Sequence, residues 1–342
     1  MQSLRFEGGR VMGVVADVEA SRVEFKGREV ILSAGAIHSP TLLLRSGIGD
    51  ESALKALGIK VIAHRPGVGK NLLNHAAIFL GAVLRPASRQ QPSLHTHPTA
   101  CMRLSSGAVG APVSDLYVNI QSKTSWNSMG SRLASLNAVL LKPAGSGQVS
   151  LASADAQVAP LIEFGFGEHR GDMQRLAQAV ARILQGLGSP QVAPHIGKPF
   201  AVRVGDRIRK WNLHNGGNAL KARAFAAFLD LVPRGLADRI VASLTGSTTD
   251  LHALARDPDA LLDFVTREVS GVYHPVGTCR MGREDNPQAV VDPSGRVIGV
   301  PGLRVVDASI MPTIPRGNTN IPTIMLAEKL ADDILRERAT TH

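Results

Sequence analysis

The sequence predicts an α/β chain, α+β overall, and three features carry that expectation. Residues 28–35, REVILSAG, form a near-continuous apolar run ending in small residues, the pattern of a strand buried in a parallel sheet. Residues 172–188, DMQRLAQAVARILQGLG, place Met173, Leu176, Val180, Ile183 and Leu184 on one helical face. The layout is also interrupted. A parallel-strand unit opens the chain, a long stretch of different texture follows, and a strand plus a helix close it.

In order, residues 1–27 read as strands, with turn signals at EGG (7–9) and FKG (25–27) and alternation in RVEF (22–25). After REVILSAG, Ser39 is expected to cap a short helix, TLLLRS, with Pro40 at its first position. ESALKALG (51–58) reads as a second helix stopped by Gly58, followed by the strand KVIAH and the loop RPGVGKNLLNH (65–75). From about residue 77 to 270, strands such as SDLYVNIQ and AGSGQVSLAS precede helices, including ALLDFVTREVS (260–270). Beyond it, GRVIGV (295–300) and LRVVDAS (303–309) read as strands, and residues 320–339 as a terminal helix. No internal repeat or low-complexity tract interrupts this order.

Composition narrows the function classes. The chain is 44% hydrophobic and 19% charged, as in ordinary globular proteins, while 4% aromatic content leaves no stacking platform for single-stranded nucleic acid. A net charge of +10 first suggests an anionic partner, yet the cations are dispersed. The densest cluster, RVGDRIRK (203–210), is interrupted by an acid, so no nucleic-acid footprint is expected. Cys101 and Cys279 are the only cysteines, which excludes a disulfide framework and any CxxC motif. No apolar run approaches ~20 residues, so no transmembrane helix is predicted, and without a visible signal peptide the expected location is cytoplasmic.

Several local matches fail on inspection. GVGK (67–70) resembles the end of a phosphate loop but is followed by Asn71, and GIGDES (47–52) follows a helix where a dinucleotide fingerprint needs a strand. HTH (95–97) lacks a third ligand at metal spacing, and no GxSxG elbow exists for a serine hydrolase. His274, in SGVYHPVGTCRMG (270–282), reads on its own as a surface or satisfied core histidine. Its PVGT turn admits close backbone approach at Gly277. GNTNIPT (317–323) likewise reads either as a helix capped by Asn318 or Thr319, or as a helix N-terminus offering N–H groups to an electron-rich partner.

Together, GAIHSPTLLLRSGIG (35–49), PGVGKNLLNH (66–75), YHPVGTCRMG (273–282) and residues 302–334 resemble the glucose–methanol–choline (GMC) family of FAD-dependent alcohol oxidoreductases, in family order. The likeness is to its choline-dehydrogenase-like branch. It implies oxidation of a small-molecule alcohol CH–OH to a carbonyl, with hydride passing to flavin N5. His274 would be the base that removes the hydroxyl proton, as suits an imidazole titrating near neutrality. Asn318 would hydrogen-bond the substrate oxygen, and Asp307 and Ala308 would contact FAD. The backbone of Asn318, Thr319, Pro322 and Thr323 would lie against the flavin, with Asn74 and His75 at its border. The family usually has Asp at the position of Asn74.

The resemblance also implies an architecture: residues 1–76 and 286–342 as an incomplete FAD-binding, Rossmann-like domain, and 77–285 as a substrate domain with an antiparallel sheet flanked by helices. The Gly-rich βαβ unit that binds the FAD pyrophosphate is not found in the sequence. The chain is therefore expected to be the C-terminal two-thirds of such an enzyme, truncated at its N-terminus. Two alternatives stand beside that expectation: one half of a split flavoenzyme, with a partner supplying the N-terminal FAD-binding half, and a non-catalytic fragment or binding module.

Overall fold

Two adjacent glycines turn the N-terminal segment back on itself. Gly8 and Gly9 hold φ of 56° and 81°, the two-residue geometry that matches strand twist. Strands β1 (Ser3–Glu7), β2 (Arg10–Val18) and β3 (Ser21–Lys26) form an antiparallel sheet; the EGG signal is the turn between β1 and β2, whereas Phe25 and Lys26 of the FKG signal pair within β3. The computed structural model describes residues 1–19, 21–91, 93, 99–202, 210–245 and 249–340. The HTH segment and most of the 203–210 basic cluster lie outside the described residues.

Strand β4 (Val30–Leu32) is shorter than the apolar run that announces it, and Ile31 is exposed, so one of its faces is buried rather than both. Helix α1 (Gly35–Arg45) begins earlier than the expected cap at Ser39 and carries Pro40 inside it. Two tertiary bonds permit this. Proline has no N–H for the Ala36 carbonyl, and Thr278 Oγ1 donates to that carbonyl instead at 2.6 Å. Ser39 Oγ accepts from Ala34 N–H and donates to the Asp307 carboxylate, so it bridges rather than caps. Strand β5 (Ile48–Gly49), helix α2 (Glu51–Ala56) and strand β6 (Ala63–His64) follow, β5 and β6 pairing in parallel. Asp50 caps α2, and Gly58, at φ 70°, ends it as predicted.

The next strands are β7 (Ala76–Val83), β8 (Thr99–Leu104), β9 (Leu116–Gln121) and β10 (Leu133–Leu140), then the hairpin β11 (Gln148–Ser150) and β12 (Leu161–Glu163). Helix α3 (Arg170–Leu187) buries the predicted face, Met173, Leu176, Val180, Ile183 and Leu184. Strand β13 (Phe200–Ala201) and helices α4 (Gly216–Leu231), α5 (Arg234–Leu244), α6 (Leu251–Leu254) and α7 (Pro258–Glu268) complete this region. Strand β14 (Leu303–Val305) pairs in parallel with β4, and α8 (Asn320–Thr340) is the terminal helix. Residues 295–300, expected as a strand, form only isolated bridges. Gly295 and Gly299 both sit near φ 75–79° and bend the chain before a ladder can form.

The chain divides into two compact units. The first holds residues 1–75, 143–168 and 271–342; the second holds 76–142 and 169–270. The second unit is an antiparallel sheet in the order β13–β7–β10–β9–β8, with α3 packed on it. In the first unit, β14–β4, α1 and the β1–β3 sheet enclose a core that includes Leu43, Ile48, Val290, Val291 and Val305. Segments 143–168 and 271–285 belong to this unit. Backbone bonds hold them there: Val149 N–H to Gly69 O at 2.7 Å, and Met281 N–H to Ile310 O at 2.7 Å. Gly69 is required at that approach, because a Cβ would stand 2.1 Å from the Val149 carbonyl oxygen.

Candidate functional site

His274 is held by a stack of three chain segments within the first unit. The innermost is the 3-10 turn Ala308–Ile310, whose carbonyls accept from Gly277, Cys279 and Met281 N–H at 3.2, 2.8 and 2.7 Å. Segment 272–276 in turn zips to segment 73–75: Leu73 and Val276 exchange two backbone bonds, and Val272 N–H reaches His75 O. Gly277 makes the turn possible. At φ 93° its missing Cβ would meet the Asn71 carbonyl oxygen at 2.5 Å, while Asn71 Nδ2 donates to Gly277 O. Just before the histidine, Tyr273 adopts φ 62°, a strained conformation for an aromatic residue.

Asp307 anchors the whole stack. Its Oδ2 accepts from Gly35 N–H at 2.9 Å and from the Ser39 hydroxyl at 2.6 Å; its Oδ1 accepts from Ser309 N–H at 2.8 Å. The carboxylate is buried at the N-terminus of α1, where free N–H groups favour negative charge. It ties the end of β14 to that helix and orients the turn on which segment 277–281 hangs.

Around the histidine, Asn74 is buried and its Oδ1 accepts the His274 backbone N–H at 3.0 Å. Either an amide or a carboxylate oxygen can fill that acceptor role, which accounts for the tolerance of Asn where the resemblance leads one to expect Asp. The His75 ring is buried and engaged at both nitrogens, Nδ1 with His274 Nδ1 at 2.9 Å and Nε2 with the Pro315 carbonyl at 3.0 Å. The two rings meet edge to face, centroids 5.1 Å apart at 88°. Burial lowers the pKa of His274 below its ordinary value of about 6.5, so the imidazole is predominantly neutral near pH 7.

The remaining predicted residues are distributed unevenly. Asn318 is exposed, and among the described residues no hydrogen bond joins its amide to His274. Thr319 is buried, and its carbonyl accepts both the N–H and the hydroxyl of Thr323, at 3.0 and 2.7 Å, which starts α8. Pro322 and Ala308 are half-buried. The resemblance implies that His75 and His274 both lie at the flavin but does not pair them, and nothing in the sequence marks the Pro315 carbonyl. The only local signal was the presence of a second histidine in PGVGKNLLNH. No group of His, Cys, Asp and Glu capable of holding a metal occurs among the described residues. Nor is any helix among them long and apolar enough to cross a membrane.

The chain is similar to known proteins in sequence and in fold. The chain is 38% identical to 5-(hydroxymethyl)furfural oxidase of Methylovorus sp., over 96% of its own length and 55% of the relative. It is 33% identical to human mitochondrial choline dehydrogenase, covering 96% of this chain and 51% of that protein. The chain thus spans about half the length of these relatives. In structure it superposes on pyridoxine 4-oxidase from Mesorbium loti with a TM-score of 0.70 at 23% identity, covering 97% of this chain and 56% of that one. It also superposes on Aspergillus oryzae formate oxidase, in a structure described in terms of FAD modification, with a TM-score of 0.74 at 19% identity and coverage of 100% and 60%. The expectation of a C-terminal two-thirds fragment is not borne out, because the N-terminal family profile already matches from residue 3. The same match leaves the expected missing N-terminal half unsupported. With profiles described as GMC oxidoreductase matching residues 3–77 and 143–327, the chain belongs to the GMC oxidoreductase family.

Proposed function

We propose that this chain carries the proton-accepting site of an FAD-dependent oxidation that converts an alcohol CH–OH group to a carbonyl. The observation behind this reading is the state of one ring. His274 is half-buried and predominantly neutral at pH 7, and its Nδ1 is taken by His75, which leaves Nε2 as the nitrogen that can meet a substrate hydroxyl. Two relatives are named for alcohol donors, hydroxymethylfurfural and choline, which supports a small primary or secondary alcohol as the substrate class.

The residues present fit the flavin ring of FAD. The entry to α8 leaves Asn318, Asn320 and Ile321 exposed, Pro322 needs no N–H partner in a first turn, and a helix N-terminus favours added electron density. Ala308, Asn318, Thr319, Pro322 and Thr323 would hold the ring, and Asp307 acts on it through the turn it anchors. When bound, FAD supplies the hydride acceptor. His274 takes the hydroxyl proton at Nε2 as the C–H bond breaks, and the Asn318 amide donates to the oxygen bearing the developing charge. Asn74 keeps the His274 backbone in place throughout.

The test is anaerobic mixing of the FAD-loaded chain with hydroxymethylfurfural or choline while the visible flavin absorbance is followed. Bleaching is expected, and His274→Ala should retain FAD but bleach slower by a factor on the order of 100 to 10,000. A chain that stays colourless after FAD loading, or an unchanged rate in the variant, would overturn the reading and leave a non-catalytic binding module.

A further inference from the structure

His274 can serve as a base at Nε2 only if its ring proton resides on Nδ1, and the residues around it determine where that proton goes. A backbone carbonyl has no proton to give. The 3.0 Å contact between His75 Nε2 and Pro315 O therefore requires the proton of His75 to be on Nε2. A neutral imidazole carries one such proton, so His75 Nδ1 presents a lone pair. At 2.9 Å from that lone pair, His274 Nδ1 must be the donor. The edge-to-face meeting of the rings, at 88°, lets an in-plane N–H aim at an in-plane lone pair.

We propose that His75 is a positioning residue: it passes the polarity of the Pro315 carbonyl through its own ring and locks His274 in the tautomer with Nδ1 protonated and Nε2 bare. The opposite arrangement needs an imidazolium at position 75, with two N–H donors. That charge would be buried at 1% exposure, with one N–H against a carbonyl and the other against a neutral ring. The device is firmly mounted at both ends. His75 sits on the segment zipped to 272–276, and Ile314, the neighbour of Pro315, is buried in a small cluster with Leu73, Val276 and Met311.

The consequence extends through proton transfer. When His274 accepts a proton at Nε2, its Nδ1–H becomes a charged donor to the same His75 lone pair, and charge-assisted hydrogen bonds are roughly twice as strong as neutral ones. The pair thus offers a bare base before the transfer and a stabilised cation after it. A Ser-His-Asp triad achieves a related result with a carboxylate, and loss of tautomer control there costs about 10,000-fold in kcat. A neutral imidazole partner should exert a smaller effect.

That His274 is a catalytic base rests on the function proposed above; its tautomer does not, and can be measured without turnover. Nitrogen-15 NMR of the full chain labelled at histidine, at neutral pH, should show His274 with a pyrrole-type Nδ1 and a pyridine-type Nε2. His75→Gln can accept with Oε1 and donate to Pro315 with Nε2, so it should retain that pattern; His75→Leu should yield a tautomer mixture. A wild-type His274 protonated on Nε2 would overturn the proposal, as would an unchanged pattern in a folded His75→Leu chain. With FAD and an alcohol, His75→Leu should lower kcat on the order of 100-fold with KM little changed, and His75→Gln should restore most of it. The predicted tautomer in a chain that oxidises no alcohol would overturn the functional reading alone.

Discussion

Asp307→Asn tests whether the carboxylate clamp holds the stack beneath His274. The substitution preserves shape and replaces one oxygen by an NH2 group. Gly35 N–H and the Ser39 hydroxyl converge on Oδ2, and Ser309 N–H on Oδ1, at 2.9, 2.6 and 2.8 Å. In either orientation, the new NH2 opposes at least one backbone N–H that has lost its acceptor. The better orientation keeps the oxygen toward Gly35 and Ser39 and strands Ser309 N–H. One hydrogen bond to a charged acceptor is then lost, worth roughly 1.5–3 kcal/mol, and a buried donor is left unsatisfied, so the expected destabilisation is about 3 kcal/mol. That corresponds to roughly a hundredfold change in an opening equilibrium. Hydrogen exchange at Gly277, Cys279 and Met281 reads it directly, because these amides donate to the carbonyls of 308–310. Exchange there should accelerate about a hundredfold, and urea unfolding followed by circular dichroism should show the matching loss. A change below about 0.5 kcal/mol, typical of surface substitutions, would refute the clamp.

Three further outcomes follow from the same geometry. Gly277→Ala places a Cβ 2.5 Å from the Asn71 carbonyl oxygen at φ 93°, so thermal unfolding should show a loss of about 2 kcal/mol or more. Because burial depresses the pKa of His274, the acid limb of kcat/KM should fall below the ordinary histidine value of about 6.5; a limb above it would contradict the burial argument. The same shift affects stability: the unfolded chain takes the proton first as pH falls through about 6.5, so stability attributable to His274 declines from there down to the lowered folded value. Of the two thiols, Cys101 is exposed, whereas Cys279 is buried and its pKa is pushed up by burial. A thiol-reactive dye should label one site quickly and the second only on unfolding; two fast sites would contradict this packing.

What the sequence determined by itself is local and ordered. The buried face of α3 follows from 3.6-residue periodicity, the β1–β2 hairpin from two adjacent glycines, and the end of α2 from Gly58. Membership of the family was legible because four blocks of side chains occur in family order. These features depend on residues near one another in the chain, and local patterns encode them.

Tertiary structure decided the rest. α1 starts at Gly35 instead of Ser39 because Thr278, 242 positions away, accommodates the carbonyl that Pro40 leaves free. Residues 295–300 look like a strand by hydrophobicity, yet two left-handed glycines override the pattern. The meeting of His75 and His274 spans 199 residues, and the carbonyl that orients them belongs to Pro315, 240 residues from His75. Every residue carries such a carbonyl, so no side-chain pattern marks the one that will be used. Sequence singled out the histidine; only folding, by bringing a second ring and a backbone carbonyl to it, decided that its Nδ1 is the nitrogen engaged.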